Sequence, residues 1–199
     1  MSHYANPAHA HSSARGGHSQ PHALSHALGP QHHVPSNSSS TRHRMPTVEY
    51  KPTKWASAMA GNGWQKRVLP FDLPGQSNQG VSMRDLSNRG PNAPIAGAGD
   101  QIFAPLGVQK ISLRIIWPGY QHVEWNRSIE VSSITRAGLA YQVASNFARF
   151  FEKSAYETPS SATHYLISPA GVRFEHLYLV SLTNTIDNVW QADVALDLR

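Results

Sequence analysis

From Lys110 onward the chain alternates apolar and polar side chains. Ile111, Leu113, Ile115 and Trp117 fall on one side, and Lys110, Ser112 and Arg114 on the other. A period of two is the signature of a half-buried strand. Trp117-Pro118-Gly119-Tyr120 follows, with proline to fix φ at the second turn position and glycine free to take positive φ at the third, which predicts a type II turn. A second strand is expected over 122–131, with Val123, Trp125, Ile129 and Val131 on one face. Arg127 interrupts that face, so it should lie at a sheet edge or meet a carboxylate.

The period then changes. Leu139, Val143, Phe147 and Phe150 or Phe151 recur at steps of three and four, the spacing of an amphipathic helix. Thr135 fits as its N-cap, Ile134 as the outer half of a hydrophobic staple, and Thr158-Pro159 as its end. Gln142, Asn146, Arg149 and Lys153 make up its polar face. Beyond it, His164–Ile167 reads as a short strand, Ser168 to Gly171 as a turn, and Leu177 to Leu182 as a strand buried on both faces. Asp187-Asn188 marks a turn. Trp190, Ala192, Val194, Leu196 and Leu198 then alternate with Gln191, Asp193 and Asp197 in a last strand. The expected fold class is therefore α+β: a single small domain over 108–199, a ββαββ mixed sheet packed on one helix, with a β-grasp as the first topology to try.

Upstream the pattern is different. Residues 1–44 are nearly all His, Ser, Ala, Gly, Pro, Gln and Asn, with too few large apolar side chains to offset the entropy of ordering, so they read as a disordered tail. Residues 45–74 form an aromatic and basic segment that reads as a docking motif. Residues 75–107, rich in Gly, Asn and Pro, read as a flexible linker.

Charge follows the same division. Residues 1–100 hold nine Lys or Arg against four Asp or Glu, while 101–199 hold eight of each. The net charge of +5 therefore sits in the N-terminal half, and any attraction to nucleic acid should belong there. There are no cysteines, which excludes disulfides and Cys-containing zinc sites. No signal-peptide core is present at the N-terminus, and the longest apolar run in the domain, Leu177 to Val180, is far short of a bilayer span. An intracellular protein without a membrane segment is expected, cytoplasmic or nuclear.

Candidate chemistry is sparse. His18, His22 and His26 recur every four residues and His32-His33 are adjacent, but Pro21 and Gly29-Pro30 leave too little helix for chelation and no carboxylate stands nearby. His122, His164 and His176 could each serve as a base with Ser181, Asp187 or Glu175, but no Gly-x-Ser-x-Gly elbow, His-Glu-x-x-His or phosphate loop fixes any of them. Gly97-Ala98-Gly99 has no strand before it. No catalytic, metal or cofactor site is expected.

Ser36 to Thr41, Thr158-Pro159 and Ser168-Pro169 are short matches to phosphorylation sites. Trp55, Trp64, Lys66, Arg67 and Phe71 are the residues most suited to contact a partner, which would be a protein. Nucleic acid is the alternative, with bases stacking on the indoles and phosphates meeting Lys51, Lys54, Lys66 and Arg67.

The runs Trp117-Pro118-Gly119-Tyr120, His122-Val123-Glu124-Trp125, Asn146 to Phe150, Phe174 to Leu177 and Val189 to Val194 resemble a family of uncharacterised fungal proteins. The resemblance covers about half the chain. It implies one coherent domain and supplies no activity. The function expected from the sequence is that of a non-enzymatic intracellular adaptor.

Overall fold

The computed structural model describes residues 42–50 and 66–199, all within one unit, Ser39–Arg199. Seven strands make a single mixed sheet: β1 His43–Arg44, β2 Val68–Pro70, β3 Val81–Ser82, β4 Lys110–Ile115, β5 Trp125–Glu130, β6 Leu177–Ile186 and β7 Val189–Leu196. Among the described residues two α-helices join them, α1 Met83–Arg89 and α2 Arg136–Ser154. The order across the sheet is β2-β6-β7-β4-β5, with β1 paired to β7 and β3 to β6.

Within it, β4, β5, α2, β6 and β7 form the expected ββαββ core. The first and last strands of that core lie side by side and run parallel, Ser112 opposite Val189 and Leu113 opposite Trp190. The two hairpins are antiparallel and lie outside them. This is the strand order of a β-grasp, on an α+β domain.

Local chemistry explains the elements. Thr135 caps α2, its hydroxyl accepting from the Gly138 amide at 3.1 Å. The apolar stripe of α2 carries Leu139, Val143, Phe147, Phe150 and Phe151 into the core. They meet Trp117 and Trp125 there, with Phe151 4.9 Å from the Trp117 ring and Phe150 5.9 Å from that of Trp125, both edge to face. The helix stops at Ser154, short of Pro159. Asn146 departs from the expected polar face: it is buried, accepts from the Trp125 indole at 3.3 Å and donates to the Gln142 carbonyl at 2.8 Å. Burying an indole N–H needs an acceptor, and Asn146 supplies it.

The Trp117–Tyr120 turn closes as a type II turn, with Gly119 at φ 84 and the Tyr120 amide donating to Trp117 O at 2.9 Å. A Cβ on Gly119 would stand 2.7 Å from the Thr163 methyl, so the turn is wedged under the loop that follows α2. That loop is otherwise irregular. His164–Ile167 is not a strand; only Ile167 bridges, to Val172.

Strand β6 holds a bulge between Leu179 and Ser181. Before it, Leu177 and Leu179 face the core. After it, Leu182 and the buried Asn184 do, and Ser181, Thr183 and Thr185 turn to the opposite face. One extra residue shifts the parity, which is why the run looks buried on both sides.

The N-terminal boundaries need correction. His43–Arg44 is a strand of the sheet, so residues 42–44 are not tail. Residues 75–107 are not a linker either. They contain β3, α1 and two 310 turns, Gly90–Asn92 and Ala104–Leu106, and they bury Val81, Met83, Leu86, Ala93, Ile95 and Phe103. Their glycines are turn residues in a folded segment: Gly80, at φ 70, lets the chain pass so close to β6 that a Cβ would stand 2.8 Å from Leu179 O. Residues 1–41 and 51–65 lie outside the described residues.

Candidate partner-binding face

One face of the sheet is packed under the two helices. The other carries the polar alternates of its strands, Arg114 on β4, Gln191 and Asp193 on β7, and Ser181, Thr183 and Thr185 on β6. Residues 46–50 cross this outer face as a strap continuing from β1. Gln191 holds the strap. Its amide nitrogen donates to Val48 O at 3.0 Å, and its amide oxygen accepts from the Tyr50 amide at 2.7 Å. The Arg114 guanidinium lies 4.1 Å over the Tyr50 ring, and Lys66 reaches Glu49 at 3.4 Å. Arg44 pairs with Asp193.

Between the strap and β2 lies an open trough of about 410 Å³. Thr47, Glu49, Lys66 and Val68 form its rims; Ser181, Thr183, Thr185, Gln191 and Asp193 form its floor. The lining carries Glu49 and Asp193 against Lys66 and is rich in groups that both donate and accept. It suits a peptide backbone or another polar chain better than a point charge.

At the end of β7, Asp197 is held between Arg199 and Arg42. The Arg199 hydrogen bonds pull its carboxyl from an ordinary 3.8 down to about 2. The folded form is therefore favoured by an ionised Asp197 at any pH above about 4, and that advantage should fade as pH falls from about 4 toward 2. Acid titrations of stability should show this as a flatter decline for Asp197→Asn than for the wild type. Equal slopes would mean that Asp197 is unperturbed.

The structure separates the residues singled out from the sequence. Trp55 and Trp64 lie outside the described residues. Lys66 is exposed at the trough, and Arg67 is exposed beside β2. Phe71 is wholly buried, and its amide donates to Val180 O at 2.8 Å. It is a core residue and not a partner contact, because β2 pairs with β6 and delivers its next residue into the interior.

His122 is exposed, 3.9 Å from Glu157; His176 contacts Arg173; Ser181 sits in the trough. Among the described residues no group of three or more His, Asp or Glu is placed to hold a metal, and no helix is long and apolar enough to cross a membrane.

Gln191, which clamps the strap, could not be picked out from sequence. A glutamine on the outward side of a strand carries no signal in sequence until a second segment is laid across it. Comparison with protein families, curated proteins and solved structures finds no match to this chain.

Proposed function

We propose that this chain is a non-enzymatic intracellular adaptor whose domain binds another protein across the outer face of its sheet. The observation that carries this reading is the trough, an open polar channel on the face opposite the helices, next to a strap that already shows how that face holds extended backbone. His122 sits against Glu157 and His176 against Arg173, surface contacts that need no catalytic role.

Thr183→Arg with Val68→Asp fills and charges the trough without touching the core. Quantitative affinity purification of this variant should lose the partners that the wild-type chain recovers stoichiometrically. Identical recoveries from both, or no stoichiometric partner for either, would refute the reading.

Nucleic-acid association through the basic N-terminal half is the weaker alternative. Six of the nine basic residues before Gly107 belong to the described fold, and Arg42, Arg44 and Lys66 are paired with Asp197, Asp193 and Glu49. Such pairing leaves fewer charges to release counterions from a phosphate backbone.

A further inference from the structure

The central strand β7 has two different partners along one edge. Parallel β4 pairs with its first half, at Val189 and Trp190. Its second half would lie open on that side. Instead β1 pairs there, His43 opposite Leu196 and Arg44 opposite Ala195, and the Met45 amide donates to Val194 O at 2.9 Å. The sheet thus contains a strand-sized notch between β7 and the Trp117 turn, and residues 42–50 fill it. Met45 is the one fully seated side chain. Beneath it, among Ile115, Trp117, Phe147 and Val194, only about 20 Å³ remains, just above the ~10–15 Å³ that one water needs.

Arg42 is the second anchor: it donates to Gln79 O at 2.7 Å, lies 3.6 Å over the Tyr178 ring and pairs with Asp197. The contacts that follow, between Met45 and Tyr50, are generic or exposed. Gln191 bonds a carbonyl and an amide two residues apart, a pattern any extended chain offers. The contacts of Arg44 with Asp193, Glu49 with Lys66 and Tyr50 with Arg114 lie at the surface, where salt and solvent weaken them. The segment belongs to the same chain as the notch, so a partner in trans meets an intramolecular competitor.

We propose that the notch is a strand-acceptor site filled in cis by residues 42–50. Its occupant in trans is an extended partner segment of matching chemistry: an unbranched apolar residue in the Met45 position, with basic residues one and three places before it to meet Asp193 and Asp197. This rests on the reading of the domain as a protein-binding module. It adds that the chain's own strap competes with the partner, so that free notch, and not total protein, sets the apparent affinity.

The test uses the full chain and a labelled synthetic peptide with the sequence of residues 42–50. Met45→Asp unseats the cis strand, and Arg44→Glu with Tyr50→Ala weakens it from the strap side; both leave the acceptor residues untouched. The peptide should bind either variant about ten-fold or more tightly than wild type, and a peptide carrying Asp at the Met45 position should not bind. In the wild-type chain the Met45 and Tyr50 amides should exchange with solvent about 100-fold faster than those of the β6–β7 hairpin.

Equal binding to all chains, no binding to folded variants, or strap amides as slow as the hairpin would overturn the proposal. So would unfolding of both variants, since the strap would then be part of the folding core. The trough variant alters Thr183 and Val68, which lie on the β2–β6 pairing and away from the β1–β7 pairing, so its outcome judges the adaptor reading separately.

Discussion

Truncating Phe71 to alanine should cost about 3–5 kcal/mol of folding stability, against less than about 0.5 kcal/mol for Arg67→Ala four residues away. Phe71 has no exposed surface, and it lies in the one cluster that unites β2, both helices and the centre of the sheet. Removing its ring deletes buried apolar surface and leaves a cavity that well-packed neighbours close only in part. Arg67 is exposed beside β2, where a side chain loses little on truncation. Urea unfolding of the two variants, compared at constant m-value, measures both effects. A loss below about 1 kcal/mol for Phe71→Ala would return this residue to the partner contacts from which its burial removes it.

Replacing Arg127 with isoleucine should make the chain self-associate through β5. β5 is a terminal strand of the sheet, bonded on one side to β4. Its core-side face reads Trp125, Arg127, Ile129, and the guanidinium folds back 4.5 Å over the Trp125 ring, leaving Arg127 exposed. A charge on the apolar face of an edge strand opposes edge-to-edge pairing, because a second strand docked there would bury it unpaired. Isoleucine would complete the apolar stripe beside an open row of backbone donors and acceptors. Sedimentation of Arg127→Ile across a concentration series should show dimer or larger species at micromolar protein, with Arg127→Lys behaving as wild type. A monomeric Arg127→Ile at every concentration would show that the edge is guarded by something else.

The parts of this fold that were legible in sequence are those where one rule acts alone. The three-and-four stripe of α2, its Thr135 cap, the alternation of β4 and β7 and the Trp117–Tyr120 turn each depend on neighbours within a few residues. What escaped depends on distant partners. Residues 75–107 are poor in apolar side chains, and only the sheet beneath shows that Met83, Leu86 and Phe103 each have a socket. The β6 bulge hides its alternation, so the hydroxyl floor of the trough could not be read from Leu177–Ile186. Gln191 and Tyr50 meet only because β1 crosses back to the last strand.

That last pairing also bears on how the domain is made. β7 is the last of these seven strands to leave the ribosome, yet β1, β4 and β6 all bond to it. Until Leu196 emerges, β1 and β4 wait with their pairing edges open, and the nascent chain holds its earlier strands without the strand that joins them. Closure across such long sequence separations is slow. Synthesis should therefore depend on chaperones that shield unpaired strands, and a chain stalled before Leu196 should be prone to aggregate.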